Sequence, residues 1–194
     1  MCTTSLSLLE RASRAADAES WHRLAELYSP LLKHWIGRFG VQTADREDLV
    51  QEVLIVVARE LPDFRHNRRK GAFRRWLRTI LVHRLRDFWR SARYRPLATG
   101  ASNVLDQLDE LVDDRSSLSQ AWDRDHDEYI MKRLMDTVEP RFEPKTWQAF
   151  RQQVIEELPP SEVAAILGMP LSSVYVAKSR VLRALRQEAD GLVD

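Results

Sequence analysis

Apolar residues recur at three- and four-residue steps through most of this chain, and no other feature of it constrains the fold as much. From Trp21 to Phe39 the positions Leu24, Leu27, Tyr28, Leu31, Leu32, Trp35, Ile36 and Phe39 follow that spacing, which gathers them on one stripe of a helix. No run alternates apolar and polar residues between Asn-Gly or Gly-Gly turns, as a strand pair requires. The chain has only 6 glycines in 194 residues, too few for an architecture of tight turns. The expectation is an all-α protein.

The first helix runs through Pro30, where a bend is expected. A second starts with Thr43 or Asp45 as cap and has Asp45, Glu47 and Asp48 near its positive end. It reaches about Leu61 and stops at Pro62. It is apolar almost all round, so most of it should be buried.

The net charge of +1 conceals a strong segregation. Residues 65 to 95 hold twelve Lys or Arg against the single acid Asp87. Interleaved with them are Phe73, Trp76, Leu77, Ile80, Leu81, Leu85, Phe88 and Trp89. Cations neutralise phosphates and aromatic rings stack on unpaired bases, so the segment suits single-stranded or melted DNA. The rings also have the spacing of a core. The arginines are too many, and too poorly matched by nearby acids, for an ordinary solvated face. After Pro96 the pattern reverses: eleven acids against four Lys or Arg stand between Asn103 and Glu139. Residues 97 to 120 show little periodicity and read as a linker. A helical pattern returns from Trp122 to Val138.

Near the C-terminus, Ser161 caps a short helix ending at Leu167, Gly168 supplies the left-handed turn, and Ser172 or Ser173 caps a longer helix to about Gln187. A short helix, a glycine turn and a longer helix make the helix-turn-helix pattern. On the longer helix Val174, Ala177, Val181 and Leu185 line one face. Tyr175, Val176, Ser179, Arg180 and Arg183 lie mainly on the other, a mixture suited to base edges and phosphates in a major groove.

Other function classes find little support. The N-terminus lacks the basic and apolar regions of a secretory signal, and no stretch reaches the ~18 apolar residues of a membrane helix. A cytoplasmic protein is the expectation. The one cysteine, Cys2, excludes an internal disulfide framework. His83 and Asp87 stand one turn apart, but nothing nearby completes a zinc set of three or four ligands. A nuclease would need clustered carboxylates to hold its cations, and residues 65 to 95 offer one. No catalytic residue, cofactor or metal is expected.

Together these pieces resemble the extracytoplasmic-function branch of the sigma-70 family. Glu47-Asp48-Leu49-Val50-Gln51-Glu52-Val53 looks like that family's core-binding helix. Phe64 and Phe73-Arg74-Arg75-Trp76-Leu77 look like the segment that follows it. His83-Arg84-Leu85-Arg86-Asp87-Phe88-Trp89-Arg90 resembles the next motif, with His83 where Asn is usual. The C-terminal unit resembles region 4, with Tyr175 and Ser179 where basic or aromatic residues are often found.

The resemblance implies a sigma factor that directs promoter-specific transcription initiation. Its parts would be an N-terminal extension (1–19), a region 2 bundle (20–95), an acidic linker (96–139) and a region 4 helix-turn-helix (140–190). It implies core RNA polymerase, through its clamp and flap, and promoter DNA as partners. It leaves room for an anti-sigma factor and implies neither membrane insertion nor a small-molecule substrate. Asp48, Gln51, Glu52 and Ile55 would bind the polymerase. Arg75, Arg78, Arg86 and Arg93 would meet phosphates at the −10 element, with His83, Asp87 and Arg90 beside a flipped base. Ser173, Tyr175, Lys178, Ser179, Arg180 and Arg183 would meet the −35 element. The alternative is a helix-turn-helix regulator acting without polymerase.

Overall fold

The computed structural model describes residues 8–13, 18–64, 71–91 and 101–189. Every regular element among them is helical, so the fold is all-α. The chain divides into two compact units, residues 6–130 and 131–190.

The N-terminal unit is built on α1 (Leu8–Ala12), α2 (Ala18–Arg38), α3 (Thr43–Glu60), α4 (Ala72–Arg90) and α5 (Ala101–Val112). The first part of α6 (Ser117–Val138) also belongs to it. Helix α2 continues through Pro30, and the Ser29 hydroxyl donates to the Ala25 carbonyl within it. Its expected stripe is the core: Leu24, Tyr28, Leu31, Leu32, Trp35 and Ile36 are all buried. The indole of Trp35 meets that of Trp122 edge-on, with centroids 5.1 Å apart. Tyr28 meets Phe73 in the same way at 5.4 Å. Such edge-to-face pairs add to the stabilisation from burying the rings.

Three sequence expectations differ here. Helix α3 is not buried all round: it packs against α2 and α4 through Leu49, Val50, Val53 and Val57, and Ile55 is 63% exposed. Neither Thr43 nor Asp45 caps it, because Gln42 holds the cap position without a side-chain bond. The segment expected as an irregular linker is largely helical. The signal was present but thin. Leu108 and Leu111, then Trp122, His126 and Ile130, keep helical spacing and are buried, while acids fill the positions between.

The C-terminal unit continues with α7 (Pro144–Val154), α8 (Pro160–Leu167) and α9 (Leu171–Ala189). Ala149, Val163, Val174 and Ala177 form its centre, with Leu158, Ala164, Leu167 and Met169 packed around them. The expected apolar face of α9 is therefore the buried one. The Gln153 side-chain amide donates to the carbonyls of Ala149, at 2.8 Å, and Val174, at 3.0 Å, fastening α7 to α9. Gly168 ends α8 in the left-handed region at φ 56°. No atom lies within 4 Å of where a Cβ would sit, so glycine is needed there for its backbone and not for room.

The expected serine caps differ. Pro159 holds the cap position of α8 and Pro160, whose ring presets φ, its first turn. Ser161 therefore lies inside the helix. Ser172 and Ser173 also lie inside the first turn of α9, where the Pro170 carbonyl accepts from the Ser173 and Val174 amides.

Candidate nucleic-acid interface

Helix α4 turns one face to the core through Phe73, Leu77, Ile80, Leu81 and Leu85. Its aromatic start is packed among other rings, with Trp76 lying 4.7 Å from Phe64 and 5.6 Å from Phe73 between centroids. These rings are core, as their spacing allowed.

Four arginines of α4 (Arg74, Arg75, Arg78 and Arg86) are matched by acids brought from α5, α6 and the turn between them. Arg74 reaches Asp123 at 2.9 Å and Asp127 at 2.5 Å. Arg78 pairs with Asp114 and lies 3.6 Å from Asp123. Arg75 reaches Asp114 at 3.1 Å, and Arg86 pairs with Asp109. Arg84 meets Asp87 within α4 at 2.8 Å. For these five of the twelve cations the expectation of poor matching by acids is thus corrected; Arg65, Arg68, Arg69, Lys70, Arg93 and Arg95 lie outside the described residues. The acids are remote in sequence, and folding brings them near.

Burial divides the set. Arg78 is only 2% exposed, which corrects its assignment as a phosphate contact: a guanidinium that deep serves the fold. Taking it out of water is costly, and its two carboxylates offset that cost. The Arg75 side chain is 52% exposed and half of an edge pair. His83, Asp87 and Arg90 are exposed, and Arg93 lies outside the described residues.

Behind Arg74 runs a buried relay that the sequence reading missed. The ring of His126, fully buried, has Nδ1 2.9 Å from Asp127 Oδ1 and Nε2 3.1 Å from the Tyr28 hydroxyl. A carboxylate only accepts, so Nδ1 carries the hydrogen and Nε2 accepts from Tyr28. Burial lowers the His126 pKa, against the opposing pull of Asp127, so the ring is neutral at neutral pH. Burial raises Asp127, but bonds from His126 and Arg74 outweigh it and hold the carboxyl below its usual range. Burial also pushes the Tyr28 hydroxyl well up, with Asp127 adding to the shift. The one legible hint was pitch: Arg74 and Arg78 stand one turn apart, and so do Asp123 and Asp127.

On α3, Asp48, Gln51, Glu52 and Ile55 fall on one exposed stripe at helical spacing. On α9, Tyr175 and Val176 are 56% and 54% exposed, and Ser179, Arg180 and Arg183 are exposed beside them. Ser173 and Lys178 are half-buried. The Arg180 guanidinium lies 5.9 Å from the centroid of the Phe142 ring. Among the described residues no group of three or more His, Cys, Asp or Glu is arranged to hold a metal. No described helix is long and apolar enough to cross a membrane.

Residues 24–95 match the family "Sigma-70 region 2". The chain is 26% identical over 183 residues to the ECF RNA polymerase sigma factor BldN of Streptomyces coelicolor, covering 93% of this chain and 64% of that protein. It is 27% identical over 99 residues to the RNA polymerase sigma factor CnrH of Cupriavidus metallidurans, covering 51% of this chain and 50% of that one. The chain thus spans between half and two thirds of the length of these curated relatives. A solved structure of an RsbN–BldN complex aligns with 91% of this chain and 96% of that one, at 21% identity and a TM-score of 0.32.

Proposed function

We infer, from the match of residues 24–95 to sigma-70 region 2 and the similarity to an ECF sigma factor along the chain, that this is a sigma factor of the extracytoplasmic-function type that binds core RNA polymerase and directs it to promoters. The observation that carries the reading is that similarity to an ECF sigma factor extends over 93% of the chain. It therefore takes in both the region 2 match and the helix-turn-helix.

The parts divide the work. The exposed stripe of Asp48, Gln51, Glu52 and Ile55 on α3 meets the polymerase clamp, and the C-terminal unit meets the flap. The outer edge of α4, with Arg75, His83, Arg86, Asp87 and Arg90, faces the −10 element. Tyr175, Lys178, Ser179, Arg180 and Arg183 on α9 face the −35 element, with Ser173 at the start of that helix. The reading leaves room for an anti-sigma factor as an antagonist.

Run-off transcription with core polymerase and genomic fragments tests the whole. Specific transcripts that depend on this protein are expected. Binding to DNA with no retention of core enzyme would instead mark a regulator that works without sigma activity. Replacing Gln51 and Glu52 with Ala should weaken core binding and leave the helical circular dichroism unchanged. Unaltered affinity would remove the α3 assignment.

A further inference from the structure

The acids that meet α4 do two different jobs. Asp123 and Asp127, on α6, face Arg74, whose side chain is 13% exposed, and Asp123 also faces Arg78, at 3%. Those carboxylates balance charge that the fold has already taken out of water. Asp109 works at the surface, and Asp114, in the turn after α5, works both there and on the buried Arg78. Asp109, whose side chain is 71% exposed, pairs with Arg86, and Asp114, at 48%, pairs with Arg75 as well as with Arg78.

Helix α5 packs along α4 and is held there by few buried side chains. Among its described side chains only Leu108 and Leu111 are buried, whereas the first part of α6 inserts Trp122, His126 and Ile130. Its other acids, Asp106 and Glu110, face solvent. Asp106 pairs with no cation among the described residues.

We propose that α5 is an internal competitor of nucleic acid, a removable cover whose carboxylates occupy the edge guanidinium groups of α4 that a phosphate backbone would otherwise take. This rests on α4 being the face that meets DNA. A carboxylate and a phosphate oxygen make the same charge-assisted bond to a guanidinium, so the two exclude each other at Arg86, held by Asp109 of α5, and at Arg75, held by Asp114 in the turn that follows it. DNA binding then includes the cost of releasing α5. Polymerase or another partner that draws the acidic segment away removes that cost.

The test uses the full chain and a short fluorescein-labelled single-stranded DNA at low salt, read by anisotropy. Asp109→Asn should bind about two- to fivefold tighter than wild type, the factor that corresponds to loss of one ion pair whose carboxylate is exposed and whose guanidinium is half-buried. Asp106→Asn removes the same charge from the same helix without breaking a pair to α4, and should change affinity less. Hydrogen exchange supplies the second readout: adding the DNA to wild type should speed exchange of the amides of residues 101–112. Equal affinities for both variants and wild type, or weaker binding by Asp109→Asn, overturn the cover, and so does unchanged protection of α5 in the DNA-bound protein. If neither wild type nor variant binds the strand at all, α4 is not a nucleic-acid face and the reading beneath the inference falls with it.

Discussion

Helices α4 and α9 are each 19 residues long and each carry a row of arginines, yet they hold their charge in opposite ways. In α4, Arg74, Arg75, Arg78, Arg84 and Arg86 all stand in ion pairs. In α9, Lys178, Arg180, Arg183 and Arg186 meet no acid among the described residues. A count of cations would rank α4 as the stronger DNA surface. Geometry reverses that ranking for the free protein: the field of α4 is largely neutralised at short range, and that of α9 projects into solvent. A basic segment becomes an electrostatic footprint only after its internal partners have been subtracted.

The contrast can be broken most sharply at Arg78. Its replacement by Ala should destabilise the N-terminal unit by about 3 kcal/mol, the low end for a broken buried pair, because Asp114 and Asp123 keep some contact with water. Arg183→Ala, on the open face of α9, should stay within about 0.5 kcal/mol of wild type. Urea unfolding monitored by circular dichroism measures both, and similar costs at the two sites would erase the distinction. A smaller effect sharpens the role of α9. Arg180→Ala should lower the preference for one −35 base by about tenfold, the loss of one bidentate base contact. Arg183→Ala should weaken all −35 variants alike. Binding to a panel of single-base promoter variants separates the two, and the opposite outcome would exchange their roles.

The smallest expected effect is pH dependence confined to one unit. Burial lowers the His126 pKa from its ordinary 6.5, so the unfolded chain binds a proton that the folded chain refuses. Stability therefore falls as pH drops below about 6.5, and it falls further near pH 4, where Asp127, depressed from 3.8 by its partners, loses its own contribution. Residues 131–190 contain no histidine, so the C-terminal unit should keep its stability between pH 7 and 5. Thermal melts at a series of pH values should show the N-terminal transition moving alone, and His126→Gln should abolish the upper part of that movement.

The sequence carried the helices and the helix-turn-helix plainly, because long apolar stripes such as Leu24 to Phe39 and the left-handed Gly168 are local features. The face of α9 was legible for the same reason. The state of α4 was not. Its pairing depends on Asp109, Asp114, Asp123 and Asp127, which lie 23 to 53 residues away along the chain, and no spacing rule reports which acids a fold will bring home. The helicity of α5 was hidden by its short length and by acids around two buried leucines. The burial of Arg78 was hidden because Arg75, Arg78 and Arg86 look alike until their neighbours are known. Exposure on α3 was misjudged for a related reason: apolar content predicts burial only where another element covers the face.

The centre of the C-terminal unit has a consequence for how long the protein survives. Ala149, Val163, Val174 and Ala177 at its centre are small, Phe150 and Leu185 are among the few large side chains buried around them, and a unit of about 60 residues buries a modest share of its surface. A unit of that size is expected to open at a cost of only a few kcal/mol. A ligand that binds only the folded form adds about 2.7 kcal/mol at a hundred times its dissociation constant, a large increment on so thin a margin. Copies engaged on a partner would resist cellular proteases, while idle copies would open and be cleaved. Occupancy would then set the protein's half-life, and a surplus beyond the available partners would clear itself.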